Sequence, residues 1–192
     1  AESKIRQGVT TEVIGNCGSS PAPAYGKVYE YLQEELKEYK LEAEWKSYKE
    51  YLEYLNKAEV SVNVVPLVGH SALRKSILDY DNRKPSSVEL EKMKELLKEA
   101  MKAGAKGFSS GLIYPPSSYA ETQELIELAK TAAQYGGIYT THMRYEGEKL
   151  VEGVKEAIRI GEESGIPVQI SHHKVTVKNS WGLVSGTLEM MK

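Results

Sequence analysis

Gly136-Gly137-Ile138-Tyr139-Thr140-Thr141-His142-Met143-Arg144 and, one amphipathic segment later, Ile166-Pro167-Val168-Gln169-Ile170-Ser171-His172-His173-Lys174 decide the fold. Each is a short apolar run, rich in β-branched residues, that ends in histidine. The stretch between them, from about Glu148 to Ser164, carries its apolar residues at helical spacing. Strand, helix, strand predicts a βαβ unit with imidazoles at the C-terminal ends of two parallel strands. Ligands collect at those ends in parallel α/β proteins. Two histidines there point to a metal site, because neutral imidazole is the commonest metal ligand. A strand-end histidine can also be a hydrogen-bonded core residue. The polar run Ser171-His172-His173-Lys174 is poorly explained by packing alone.

Working outward, the same alternation recurs. Val9–Gly15 reads as a strand that ends at Asn16-Cys17-Gly18. Val60–Val68 reads as a second, leading to Gly69-His70-Ser71, and Ala105–Leu112 as a third, leading to Tyr114-Pro115-Pro116. Ser86 with Glu89, and Ser118 with Glu121, have capping-box spacing before helical segments that run to about Ala103 and Tyr135. The tyrosine-rich stretch from about 27 to 57 predicts one or two inserted helices. Five strands alternating with helices argue an α/β fold with a parallel sheet and right-handed crossovers. There is no Gly-x-Gly-x-x-Gly after the first strand and no P-loop, so a nucleotide-binding doubly wound sheet loses ground. Polar groups at nearly every strand end, Cys17, His70, Tyr114, His142 and His172, favour part of a (β/α)8 barrel instead.

Length and composition set the outer bounds. The 192 residues suit one domain with a sizeable core, and 27% charged with 41% hydrophobic residues is ordinary for a soluble protein. A net charge of −2 gives no electrostatic case for nucleic acid or an anionic membrane. No apolar run approaches a membrane span and no signal peptide opens the sequence, so the expected location is the cytoplasm. A single cysteine excludes an internal disulfide.

Cys17 with His142 and His172 gives a mixed sulfur and nitrogen donor set suited to Zn²⁺. A Cys–His nucleophilic pair is the competing chemistry, and sequence separation does not distinguish them. Strand alternation puts His172 and Lys174 on one face and His173 on the other, and places Arg144 on the face of His142. A metal ligand followed by a cation would let one site hold a scissile carbonyl and a substrate carboxylate.

Five motifs carry a resemblance. Gly8-Val-Thr-Thr-Glu-Val-Ile-Gly-Asn-Cys-Gly18, Leu67-Val-Gly-His-Ser-Ala-Leu-Arg74, Gly111-Leu-Ile-Tyr-Pro-Pro116, Tyr139-Thr-Thr-His-Met-Arg144 and Val168-Gln-Ile-Ser-His-His-Lys174 together resemble the N-acyl-D-amino-acid deacylases (D-aminoacylases) of the metal-dependent amidohydrolase superfamily. The resemblance implies a (β/α)8 barrel carrying zinc and hydrolysing N-acyl-D-amino acids. It implies that Cys17, His142 and His172 are metal ligands and that Lys174 binds the substrate carboxylate. Tyr114, Arg144 and His70 are expected to line the substrate pocket. The family's His-x-His motif and its proton-transferring aspartate have no counterpart here. The sequence therefore resembles strands two to six of a larger barrel, with a helical insertion at about 27–57, and no catalytic base is expected within it. Its unpaired edges predict self-association or pairing with the rest of a barrel. Two alternatives are another amidohydrolase, of the dihydroorotase or isoaspartyl-dipeptidase kind, and a non-catalytic structural piece. The first needs a carboxylated lysine on the fourth strand of the full barrel, where only Lys106 stands, at the strand's start.

Overall fold

The computed structural model describes residues 2–192. Six β segments follow in chain order: β1 (Thr11–Ile14), β2 (Asn63–Pro66), β3 (Val68–Gly69), β4 (Gly107–Gly111), β5 (Ile138–His142) and β6 (Val168–Ile170). All pairings are parallel, with β1 beside β2, and β3 to β6 side by side in sequence order. β2 and β3 are one extended path interrupted at Leu67. The Leu67 N–H still donates to Ile14 O at 2.9 Å, but its carbonyl accepts from the Tyr48 hydroxyl at 2.9 Å. The second strand is therefore split, and shorter than its β-branched run predicts.

Helices fill the crossovers. α4 (His70–Leu78) and α5 (Ser87–Ala103) lie between β3 and β4, α6 (Thr122–Ala133) between β4 and β5, and α7 (Leu150–Ser164) between β5 and β6. α1 (Glu2–Ile5) precedes β1, α2 (Lys27–Lys37) and α3 (Tyr48–Lys57) form the tyrosine-rich insertion, and α8 (Leu183–Met190) ends the chain. Consecutive parallel strands with a helical crossover between neighbours are the repeating unit of a (β/α) barrel.

Side-chain capping accounts for two helix starts. The Ser86–Glu89 capping box forms as its spacing predicts, and a second one, Ser47–Glu50, opens α3. The Ser118–Glu121 box does not form. Residues 117–119 make a single 3-10 turn, Ala120 is extended (φ −73°, ψ 139°), and α6 starts only at Thr122 without a side-chain cap. The backbone there serves another purpose, since the carbonyls of Ser118 and Ala120 accept from the Arg144 guanidinium.

The two faces of the sheet differ in chemistry. On the outer face Phe108 stacks on Tyr139 with ring centroids 4.8 Å apart, within a buried cluster that includes Leu97, Leu125 and Ile126. On the other face Thr140 donates to Asn16 Oδ1 at 2.7 Å, and Asn16 Nδ2 donates to Ser171 Oγ at 3.2 Å. Asn16 follows β1 and Ser171 follows β6, so the arc curls until groups beyond its first and last strands meet across the concave side. Among the described residues β1 and β6 each pair on one side only. No helix there is long and apolar enough to cross a membrane.

Candidate metal centre

The loops after β1 and β6 converge on the end of β5. One ligand atom each from Cys17, His142 and His172 can be chosen so that all three lie within 4.8 Å of one another. Cys17 Sγ stands 3.5 Å from His172 Nε2, and the rings of His142 and His172 meet edge to face with centroids 4.4 Å apart. His142 Nε2 is buried and has no hydrogen-bond partner. A buried ring nitrogen that makes no hydrogen bond, with only the Glu146 carboxylate 3.4 Å away, on a residue beside a thiol and a second imidazole, fits a metal centre better than an ordinary core histidine. The donor set, one sulfur and two nitrogens, matches the ligands zinc takes.

The backbone brings these groups together at a conformational cost. Cys17 (φ 51°) and His172 (φ 37°) both adopt the left-handed region that L-residues with a Cβ avoid. The Cys17 loop lies flat against β4. A Cβ on Gly111 would meet Cys17 O at 2.2 Å, and one on Gly18 (φ +81°) would meet Gly111 N at 2.4 Å, so glycine is required at both positions. The Ser109 hydroxyl fastens this loop by donating to Gly15 O and accepting from Gly18 N–H at 2.9 Å.

The strand-phase argument reaches the right outcome by the wrong route. β6 ends at Ile170, before the histidines, so strict alternation does not apply to them. His172 and Lys174 nevertheless meet a common partner, while His173 turns to Thr187 on α8, with Nε2 and Oγ1 3.0 Å apart. The left-handed turn at His172 does the sorting that pleating was expected to do.

The common partner is Glu146, which sequence reasoning missed. Its carboxylate lies 2.6 Å from Lys174 Nζ, 3.1 Å from His172 Nδ1 and 3.4 Å from His142 Nε2, and the residue is 6% exposed. One glutamate in the loop after β5, among many on this acidic chain, carries no mark in the sequence of being buried against two histidines.

Electrostatics separate the two readings of Cys17. Burial pushes its thiol above the ordinary range, and the Glu146 carboxylate pushes it further, with Lys174 opposing. Reactive cysteine nucleophiles need the reverse, an electropositive setting that lowers the pKa. A metal ion would supply the missing positive charge. Burial holds the His142 pKa below its usual value, against the pull of Glu146 and with help from His172 and Lys174, which favours the neutral ring that a metal ligand needs.

The remaining expected pocket residues divide. Tyr114 is half exposed and sets its ring edge-on to His142, with centroids 5.0 Å apart. Arg144 lies elsewhere. β5 ends at His142, and the Arg144 guanidinium is taken up by Glu156 of α7 at 3.0 Å and by the carbonyls of Ser118 and Ala120. It clamps loops together, with four of its five N–H donors engaged. His70 also lies elsewhere. It opens α4, is fully buried, and bridges Ser117 (2.7 Å) and Glu124 (2.9 Å). Ser117-His70-Glu124 has the order of a hydrolytic triad, but Ser117 is 0% exposed, so no substrate reaches it.

No family model matches the chain. Individual proteins do. The chain is 41% identical to a D-aminoacylase of Alcaligenes xylosoxydans xylosoxydans over 98% of its length, and 38% identical to an N-acyl-D-aspartate deacylase of the same organism, again over 98%. The chain is homologous to the N-acyl-D-amino-acid deacylases over nearly its whole length. It spans 39% and 38% of the length of these two relatives. Solved structures agree. A D-aminoacylase described as defining a subset of amidohydrolases superposes with a TM-score of 0.85 at 40% identity, over 97% of this chain and 39% of that one. The N-acyl-D-glutamate deacylase of Bordetella bronchiseptica, complexed with zinc and a phosphonate mimic of the tetrahedral intermediate, gives 0.88 at 34% identity, over 98% and 39%. The arc of parallel strands and outer helices is thus a partial barrel of the deacylase type.

Proposed function

We propose that this chain forms the Cys-His-His metal centre and the carboxylate-binding side of a zinc-dependent N-acyl-D-amino-acid deacylase built on a closed (β/α)8 barrel. The observation that carries this reading is the convergence of ligand atoms of Cys17, His142 and His172 within 4.8 Å of one another. Homology to deacylases of N-acylated D-amino acids, one of them solved with zinc, supports the substrate class and the metal. Zinc bound here would polarise the acyl carbonyl and lower the pKa of water. The chain's own residues supply the rest of their share. Lys174, 46% exposed at its side chain, offers its ammonium to the amino acid's carboxylate. Tyr114 walls the mouth beside His142. The carboxylate that moves the proton is expected outside these 192 residues.

The test measures metal and turnover on the purified chain. With part of the ligand set missing it should bind zinc poorly, and hydrolysis of N-acetyl-D-methionine should stay close to background, because ligands and base act as a unit. The whole protein should cleave the D-enantiomer and spare the L-enantiomer. A chain that binds no zinc even with the metal in excess, or a whole protein that prefers the L-substrate, would overturn the reading.

The unpaired edges support an assembly proposal. Val13 on β1 is 55% exposed, and Val168 and Ile170 on β6 carry no charge to discourage pairing. The isolated chain is therefore expected to self-associate. Sedimentation should show species well above 21.4 kDa at micromolar concentration, and a stable monomer would refute this.

A further inference from the structure

We propose that Glu146 is a positioning residue that fixes the tautomer of His172, turning its Nε2 lone pair toward the metal and drawing the Lys174 ammonium away from the ring. The proposal rests on the reading that Cys17, His142 and His172 hold the metal. It follows from three distances. His172 presents Nε2 to Cys17 Sγ at 3.5 Å and Nδ1 to the opposite side. There Nδ1 meets two competitors, Glu146 Oε1 at 3.1 Å and Lys174 Nζ at 3.2 Å. The ammonium can only donate, which requires an unprotonated Nδ1 and puts the hydrogen on Nε2, where a metal needs the lone pair. The carboxylate can only accept, which requires Nδ1–H and leaves Nε2 free.

The carboxylate wins on two counts. Its other oxygen, Oε2, engages Lys174 Nζ at 2.6 Å, a charge-assisted contact much shorter than the ammonium's approach to the ring. Oε1 is buried and makes no hydrogen bond, so a hydrogen on Nδ1, 3.1 Å away, would give it the donor it lacks, whereas a bare Nδ1 lone pair there would be repelled. The position of Glu146 is itself fixed. Its carbonyl accepts from Thr176 N–H at 2.7 Å and from Thr176 Oγ1 at 3.0 Å, which stitches the loop after β5 to the loop bearing His172 and Lys174. Carboxylates that orient metal-bound histidines in this way change metal affinity by about 10–100-fold when removed.

The experiment compares the 192-residue chain with its Glu146→Gln and Glu146→Ala variants. Nitrogen-15 correlation spectra of the histidine rings, with His172→Gln used to assign the signals, report the tautomer without metal. The expected result is Nδ1–H in the parent chain and a shift toward Nε2–H in both variants. Zinc affinity, by chelator competition, should fall at least tenfold. The cobalt-substituted variants, at saturation, should keep the parent ligand-field and thiolate charge-transfer spectrum. An unchanged tautomer with zinc affinity within twofold in both variants would overturn the proposal. So would an altered ligand-field spectrum, which would make Glu146 a ligand. A parent chain that binds no zinc would sink the underlying metal reading, while loss confined to the variants tests Glu146 alone.

Discussion

Cys17→Ser is expected to weaken zinc binding by about two orders of magnitude or more, since loss of an orienting neighbour alone costs about 10–100-fold and this change removes a ligand atom. The serine hydroxyl is close in size to the thiol but does not ionise near neutral pH, so the site would keep two imidazoles and lose its anionic donor. The thiol starts above its ordinary pKa because of burial and Glu146, and only a bound cation makes the thiolate favourable. Chelator competition measures the affinity, and the cobalt form should lose its thiolate charge-transfer band. Zinc binding by the Cys17→Ser chain within threefold of the parent would remove Cys17 from the donor set, and the metal reading with it.

The sequence shows this site better than it shows the fold around it. Strand ends are marked by abrupt changes of chemistry, from Val-Gln-Ile to Ser-His-His and from Ile-Tyr-Thr-Thr to His142, and such changes survive errors of a residue or two in strand length. The β-branched run ends in His142, and β5 ends at that residue. α4 was missed because His70 reads as the end of a strand. The turn is so tight that the helix begins at that residue, and its buried side mixes His70, Ser71 and Arg74 with Ala72, Leu73 and Leu78, which blurs the apolar period. Arg144 was misplaced because alternation was extended past the end of β5. Glu146 was invisible because pairing partners 26 and 28 residues downstream leave no local period. The common cause is that periodicity reports which face a residue occupies only while the element lasts. The groups that do the chemistry lie just beyond its end.

The second large effect is structural and lies under α4. Arg74 is 0% exposed, and its charge is balanced by Glu124 at 2.7 Å, a carboxylate that also meets His70 at 2.9 Å. Nη2 donates to the carbonyls of Asp81 and Arg83, while the buried Nε makes no hydrogen bond. Glu124→Gln would keep the shape and remove the charge, leaving a buried cation without a counterion. Breaking a buried pair in this way costs about 3–5 kcal/mol. Domains are stable by only about 5–15 kcal/mol, so the loss should show as a fall in Tm on the order of 10 °C. The pH dependence gives an independent check. Burial raises the Glu124 pKa, but the pull of His70 and Arg74 outweighs it and holds the carboxyl below its ordinary range. A depressed carboxyl contributes stability that is fully present above its unfolded pKa of about 4.3, and that stability is lost as pH falls through the folded pKa. The gap between parent and variant, followed by urea unfolding, should therefore be constant near pH 7 and narrow below about pH 4. A gap under about 1 kcal/mol at pH 7, the scale of an exposed ion pair, would show that water reaches Arg74. A gap that widened on acidification would contradict the depressed carboxyl. His70 belongs to this network, which joins α4 to the turn after Tyr114, so the variant also probes whether that buried frame holds the mouth of the metal site in place.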